Sequence, residues 1–278
     1  MFILRSLKYV YNNKDMKISI LKESKGETRI SVVPDIVKKY VDLGIDVALE
    51  PGVGHCLFSD QEFVQAGAKI IEDKKELLKA NLIIQVNCPE ESILKALPKT
   101  TNIISFLNPF FDKEQLKKLE KYKTTALGME FIPRSTYAQK MDALSSQASL
   151  AGYVAVNLAA ERLDQVLPMM VTPAGTISPS KVFIIGAGVA GLQAIATAKR
   201  MGARVEAFDT RPVVEEQVQS LGAKFLKVDL GETGQTKDGY AKALTDDQLD
   251  KQREIMTKAC AQADIVITTA QLFGRKAP

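Results

Sequence analysis

The sequence has few of the residues that build metal sites, histidine-dependent active sites or disulfide frameworks. It contains no tryptophan, one histidine and three cysteines, and aromatic residues make up 6% of its 278 positions. The single histidine, His55, is too little for a histidine-based zinc site, and any histidine-based triad would have to use it. Cys56, Cys88 and Cys260 are odd in number and far apart, which predicts free thiols in a reducing compartment. His55 and Cys56 are adjacent, but neighbouring side chains rarely face each other, so a Cys–His dyad is not expected.

Charge and hydropathy exclude two further classes of protein. The formal net charge of +4 is small and the lysines form no stripe interleaved with aromatics, so no nucleic acid partner is expected. No stretch reaches the ~20 apolar residues of a transmembrane helix. Residues 182–198 come nearest but include three glycines and Gln193. Met1–Asp15 has neither a signal-peptide cleavage site nor a long apolar core, and is expected to be an N-terminal extension.

Residues 181–209 have the pattern of a dinucleotide-binding unit. The apolar, β-branched run at 182–185 predicts a buried parallel strand, and a GxGxxG follows it directly. Each glycine has a physical role. Gly186 permits a tight turn, Gly188 lets a pyrophosphate approach the backbone, and Gly191 lets the next helix pack closely on the strand.

An acidic residue follows at the position where a ribose is bound. The helix is expected to end at Gly202, and the next strand, Arg204–Phe208, leads to Asp209, which lies 21 residues after Gly188. A carboxylate there accepts hydrogen bonds from a free 2′-hydroxyl and repels a 2′-phosphate. The sequence therefore predicts NAD(H) rather than NADP(H).

The organisation of the chain predicts an α/β protein with two Rossmann-like parallel-sheet domains. Alternating strands and helices predict one α/β domain over residues 16–133. A boundary near 132–135 would then begin an NAD(H)-binding Rossmann domain over 134–278. Its strands include Lys224–Val228 and Ile265–Thr268. Four strands are only part of the usual six, so this second domain is expected to be incomplete at its C-terminus.

A polar stretch opens the second domain. We predict a helix over Thr136–Arg162 and, after it, a loop over Val171–Pro179 that is rich in Pro, Gly, Ser and Thr. Asp142 and Ser145 are three residues apart and would share one face of that helix. From the residue types, the stretch is either a solvated face with an N-terminal cap or a group of cofactor contacts.

In these features the chain resembles the NAD(H)-binding component (domain I), in the alpha subunit, of the proton-translocating nicotinamide nucleotide transhydrogenases. The resemblance covers about Met16 to Pro278. Its most specific segments are Arg134–Ser146, Ile184–Gly191, Ala207–Pro212, Asp238–Lys242 and Asp264–Pro278.

The resemblance implies two groups of site residues and no metal. The residues that would orient the nicotinamide are Arg134, Gln139, Asp142, Ser145 and Tyr153. The residues that would bind the dinucleotide are Gln139, Lys140, Met141, Asp142, Gly186, Gly188, Val189, Gly191, Asp209, Thr210, Arg211 and Gly239.

The resemblance also implies the reaction and the partners. NADH bound by this component would pass hydride to NADP⁺ on an NADP(H)-binding beta subunit or domain, while membrane subunits couple the transfer to proton translocation. The component would be a homodimer, cytoplasmic and peripheral on the inner membrane. Because the chemistry belongs to the two nicotinamide rings, the protein would supply proximity and orientation.

Two alternatives remain open. An alanine dehydrogenase-like, NAD-dependent oxidoreductase has the same fold, but it needs a lysine and a histidine where this chain has Asn87 and Asn108. Arg29 matches the substrate arginine of those relatives and is expected to form a structural ion pair instead. The other alternative is a non-catalytic NAD-binding fragment, because the family continues beyond the C-terminal residues of this chain.

Overall fold

The computed structural model describes residues 16–228 and 245–270. The chain divides into two compact units, Met1–Pro133 and Arg134–Pro278. The predicted N-terminal extension and Gly239 lie outside the described residues.

The described part of the first unit contains a six-stranded parallel sheet in the order β3-β2-β1-β4-β5-β6. Because β2 and β4 both pair with β1, the direction of the crossovers reverses between β1 and β4. Every strand runs parallel to its neighbours, as expected when helices connect consecutive strands. The strands are Lys17–Ile20 (β1), Asp46–Leu49 (β2), Lys69–Ile70 (β3), Leu82–Asn87 (β4), Asn102–Phe106 (β5) and Thr125–Gly128 (β6).

Short helices cover this sheet. Ser59 begins the second of them with a capping box, in which its hydroxyl and the Glu62 side chain each accept a backbone N–H of the other residue. The third and fourth helices were not predicted from the sequence, because four and six residues are too few to show a helical periodicity. The helices are Pro34–Asp42 (α1), Asp60–Gln65 (α2), Lys74–Leu77 (α3), Glu91–Ala96 (α4) and Lys113–Tyr122 (α5).

The second unit combines a small hairpin with a second parallel sheet. The hairpin strands are antiparallel, and the described sheet has four parallel strands in the order β11-β10-β9-β12. The hairpin strands are Met170–Thr172 (β7) and Gly175–Ile177 (β8). The sheet strands are Lys181–Ile185 (β9), Arg204–Phe208 (β10), Lys224–Phe225 (β11) and Ile265–Thr268 (β12).

Helices pack against this second sheet around a core that includes the buried side chains of Val156, Ile184 and Ile195. A 3₁₀ turn precedes the first helix and another precedes the third. The helices are Ala143–Arg162 (α6), Val189–Arg200 (α7), Glu215–Ser220 (α8) and Asp246–Ala261 (α9).

The predicted fold class is confirmed, because both sheets are parallel and strands alternate with helices. Three predicted elements are wrong. The predicted 136–162 helix begins only at Ala143, because Asp142 caps it and a 3₁₀ turn precedes it. The predicted 171–179 loop contains the β7–β8 hairpin, since its β-branched residues pair their backbones across the turn. The predicted 224–228 strand pairs with β10 over only two residues.

No helix in residues 16–228 and 245–270 is both long and apolar enough to cross a membrane.

Candidate functional site

Three glycines shape the turn between β9 and α7. Gly186 has a φ of +95°, a backbone conformation that favours glycine. A Cβ atom at Gly191 would overlap the carbonyl oxygen of Gly186, so the first turn of α7 lies directly against this turn. A Cβ atom at Gly188 would meet no heavy atom within 4 Å, so the space beside this residue is open. Because the first N–H groups of a helix lack intrahelical partners, this end of α7 is suited to a phosphate.

Asp209 follows β10 and contacts the glycine turn. Its side chain is only 8% exposed, and its Oδ2 accepts the backbone N–H of Ala187 at 2.8 Å. Arg211 supplies three further donors. Its backbone N–H and its Nε both donate to Oδ1 of Asp209 at 2.9 Å, and its Nη2 donates to Oδ2 at 2.9 Å. These hydrogen bonds raise the pKa of Arg211 above its ordinary value. Thr210 lies between the two residues and is half-buried.

Thr269 holds the same turn from the end of β12 and was not predicted from the sequence. Its hydroxyl donates to the carbonyl oxygen of Gly186 at 2.8 Å, and its backbone N–H donates to Ile185 at 2.8 Å. The available signal was its position, since a hydroxyl residue directly after a parallel strand lies at the edge of the sheet where ligands bind.

Asp142 is the N-cap of α6. Its Oδ1 accepts the backbone N–H of Ser145 at 2.9 Å, and its Oδ2 accepts the Ser145 hydroxyl at 2.6 Å. Burial by itself raises the pKa of Asp142, but the Ser145 hydrogen bonds and the positive charge of Arg134 lower it below its ordinary value overall. The two residues therefore meet through a cap, and not as neighbours on one helical face as predicted.

The other residues predicted near the nicotinamide are more exposed. Gln139 and Lys140 are exposed in the 3₁₀ turn, and Met141 at its end is half-buried. Tyr153 is 52% exposed and follows Ser145 by eight residues, about 12 Å along the helix axis. The structure therefore brings Asp142 and Ser145 together at the start of α6 and leaves Tyr153 about two turns further along.

Helix α6 packs on α7 through a glycine that was not singled out from the sequence. A Cβ atom at Gly152 would overlap the carbonyl oxygen of Ala190, which lies in the first turn of α7. One turn earlier in α6, the Ser149 hydroxyl lies 3.5 Å from Oε1 of Gln193. Glycine within a helix costs about 0.5–1 kcal/mol relative to alanine, and this cost was the signal for a close contact.

The first unit contains an ion-pair cluster at the residues that match the alanine dehydrogenase substrate site. Nε and Nη2 of Arg29 donate to the two carboxylate oxygens of Glu27 at 2.9 and 2.6 Å, which confirms the predicted ion pair. Nδ2 of Asn87 donates to the same carboxylate at 2.9 Å. The Arg29 side chain is the largest influence on Glu27 and lowers its pKa to about 2. Asn108 has a left-handed backbone and donates its N–H to Glu130.

The three cysteines are confirmed as free thiols. The expectation that His55 and Cys56 face apart is wrong, because Nδ1 of His55 lies 3.4 Å from Sγ of Cys56. His55 has a φ of +52°, and this left-handed backbone accompanies the approach of the adjacent side chains. Within residues 16–228 and 245–270, no group of three His, Cys, Asp or Glu residues is arranged to bind a metal ion.

Comparisons with known proteins agree with this architecture. A family model described as alanine dehydrogenase/PNT, N-terminal domain, matches residues 19–151, and the corresponding C-terminal domain model matches residues 155–278. An NAD(P) transhydrogenase subunit alpha chain of Rickettsia prowazekii is 42% identical over 270 residues, covering 95% of this chain and 70% of that protein. The chain belongs to the NAD(P) transhydrogenase alpha-subunit family. The resemblance identified in the sequence is therefore confirmed.

Other members of the transhydrogenase family differ in how much of their length this chain spans. The NAD(P) transhydrogenase subunit alpha of Haemophilus influenzae is 40% identical, and the alignment covers 91% of this chain but 49% of that protein. The crystal structure of the transhydrogenase from Sinorhizobium meliloti is similar with a TM-score of 0.81 and 40% identity, over 94% of this chain and 72% of that chain. An L-alanine dehydrogenase structure is less similar, with a TM-score of 0.67 and 27% identity over 76% of this chain and 60% of that chain.

Proposed function

We propose that this chain is the NAD(H)-binding component of a transhydrogenase that passes hydride between NADH and NADP⁺. The observation that carries the proposal is the glycine turn with Asp209 beside it. The turn offers open space at Gly188 and the N-terminal end of α7, and the carboxylate of Asp209 lies against it. A pyrophosphate and a ribose require these elements in this order. The names of the relatives at about 40% identity support the same function.

The adenosine half of the nucleotide would be bound by the second unit. The backbone at Gly188 and Val189 would receive the pyrophosphate, and Asp209 would accept a ribose hydroxyl. Thr210, Arg211 and Gly239 are proposed as further contacts, as are Lys140 and Met141 before α6. Because the glycine turn is held by Thr269 and by the Asp209–Ala187 hydrogen bond, its geometry does not depend on a bound nucleotide.

The nicotinamide would be oriented by the polar residues before and within α6. Because the pKa of Asp142 is lowered, its carboxylate is ionised at neutral pH and can accept hydrogen bonds from a carboxamide NH₂ group. Ser145 fixes the orientation of that carboxylate. Arg134 would donate to the carboxamide oxygen, and the exposed Gln139 would lie where the two nucleotides meet. Tyr153 is proposed to border the ring.

The bound nucleotide supplies the chemistry, in which a hydride leaves C4 of the dihydronicotinamide and joins C4 of the NADP⁺ nicotinamide. No proton is transferred in that step, so no side chain of this chain has to act as an acid or a base. Its residues bind the nucleotide, fix the angle of the ring and keep water from the reacting carbons.

The proposal includes partners that this chain requires for turnover. NADP(H) would be bound by a beta subunit or domain, and membrane subunits would couple hydride transfer to proton translocation. The chain would be cytoplasmic and peripheral on the inner membrane. Exposed apolar side chains on the hairpin support a homodimer, since such patches mark protein interfaces. They are Met169, Met170, Val171 and Ile177.

The contacts in the first unit argue against an alanine dehydrogenase activity. Arg29, which would bind a substrate carboxylate, is paired with Glu27, and Asn87 donates to the same carboxylate. An asparagine cannot supply the charge of the lysine that this position carries in the dehydrogenases. A non-catalytic NAD-binding fragment would share the nucleotide contacts and would differ only in the absence of turnover with its partner.

Titration of the purified chain with NADH and NADPH tests the proposal, by calorimetry or by nucleotide fluorescence. NADH should bind more tightly. Gly188→Val should weaken NADH binding strongly while leaving the melting temperature unchanged, because a side chain at this position meets only open space. Equal affinities for the two nucleotides, or unchanged NADH binding by Gly188→Val, would overturn the site. NADH formation from alanine and NAD⁺ by the isolated chain would favour the dehydrogenase instead.

A further inference from the structure

The carboxylate of Asp209 is saturated with donors. Each carboxylate oxygen offers about two acceptor positions. Oδ1 accepts the backbone N–H and Nε of Arg211, and Oδ2 accepts Nη2 of Arg211 and the backbone N–H of Ala187. A ribose hydroxyl that donates to Asp209 must therefore replace one of these four donors.

The donors differ in how readily they can leave. Ala187 is buried within the glycine turn, and the neighbouring Gly186 N–H is held by the carbonyl oxygen of Phe208 at 2.7 Å. Withdrawing the Ala187 N–H would deform the turn. The guanidinium of Arg211 lies on a long side chain that is 16% exposed, and it can rotate away without moving the backbone. Replacement is therefore easiest at Nε and Nη2 of Arg211.

We propose that Arg211 competes internally with the adenosine ribose for Asp209, and that release of its guanidinium is part of nucleotide binding. This inference rests on the proposed function of the glycine turn. The paired guanidinium also offsets the negative charge that would repel a 2′-phosphate. Arg211 thus weakens NADH binding and narrows the preference for NADH over NADPH.

Replacement of Arg211 tests the direction of this effect. Arg211→Met leaves the Asp209 oxygens available, so NADH should bind about tenfold more tightly, the equivalent of one hydrogen bond to a charged group. NADPH should bind more weakly, because the carboxylate charge is no longer offset. Arg211→Lys keeps the charge but not the two-pronged geometry, and its affinities should lie between the two. Arg204→Met, which removes an exposed arginine from β10, is the matched control and should change neither affinity.

A second measurement keeps the test valid if a buried, unpaired Asp209 lowers the stability of Arg211→Met. The Nε–H resonance of Arg211, assigned by its loss in Arg211→Lys, should shift and exchange faster with water when NADH is added. A resonance that NADH leaves unchanged, or NADH binding weakened by a folded Arg211→Met, would overturn the inference and leave the nucleotide site intact. Absence of NADH binding in the unmodified chain would instead overturn the proposed function.

Discussion

Gly152 lies so close to Ala190 that a Cβ atom at position 152 would overlap the Ala190 carbonyl oxygen. Ala190 belongs to the first turn of α7, between two glycines of the nucleotide-binding turn. The contact therefore joins the polar helix α6 to the start of the dinucleotide-binding helix. The two groups of residues singled out in the sequence are parts of one packed structure in the second unit.

Gly152→Ala should destabilise the second unit by about 1–3 kcal/mol, because the added methyl group must push α6 away from α7. Thermal unfolding followed by circular dichroism measures the change. NADH affinity should fall as well, since the displaced helix carries Asp142. Ala151→Ser, at the exposed neighbouring position, is the control and should have little effect. A Gly152→Ala protein as stable as the unmodified chain would show that the helices are not in close contact.

Gln139→Asn and Asp142→Asn should lower transhydrogenation by ~100-fold, the penalty of a misplacement of about 1 Å, with only a modest change in NADH affinity. Asparagine is as good an N-cap as aspartate, so Asp142→Asn removes the charge and keeps the helix start. The assay uses the complex with an NADP(H)-binding partner component. Hydride transfer at the unmodified rate in both variants would reduce the stretch to a solvated face with a cap.

Glu27 should make the stability of the first unit depend on pH. The hydrogen bond from the Arg29 side chain is the main reason that its pKa is lowered to about 2. A carboxylate whose pKa is lowered on folding stabilises the native state fully above the ordinary value of about 4.3, and this contribution is lost as the pH falls towards the native pKa.

The unfolding free energies of the unmodified chain and Glu27→Gln should therefore differ most at neutral pH and converge between about pH 4.3 and 2. Denaturant titrations over this range measure both curves. Glu114→Gln, at an exposed glutamate paired with Lys117, controls for the loss of one surface charge. A difference between the unmodified chain and Glu27→Gln that is constant down to pH 2 would contradict the ion pair.

The three thiols should react at different rates with a disulfide reagent such as 5,5′-dithiobis(2-nitrobenzoate). Cys56 is exposed and contacts His55, whereas burial raises the pKa of Cys88, whose sulfur accepts a hydrogen bond from Gln115. Cys56→Ser should remove the fastest phase at neutral pH, and His55→Ala should slow it. If Cys88→Ser removed that phase instead, the assignment of the exposed thiol would be wrong.

The sequence by itself determined the features that depend on local pattern. The GxGxxG after a β-branched run and the acid at the end of the next strand specified β9, α7 and β10, because each glycine has a steric role within a few residues of chain. The alternation of strands and helices determined the parallel sheets. The ion pair of Arg29 was also predictable, since the lysine and histidine that a substrate arginine needs beside it are missing.

Only the tertiary structure decided what depends on distant backbone. Helix α6 begins at Ala143 because the Asp142 side chain caps it there, and residue type left cap and helical face undecided. Gly152 and Thr269 acquire their roles from segments that are far away in sequence, Ala190 and Gly186. The saturation of Asp209 likewise requires Ala187, which the fold of β9 beside β10 brings within 2.8 Å. Such contacts form only when the strands are paired, and no spacing along the chain encodes them.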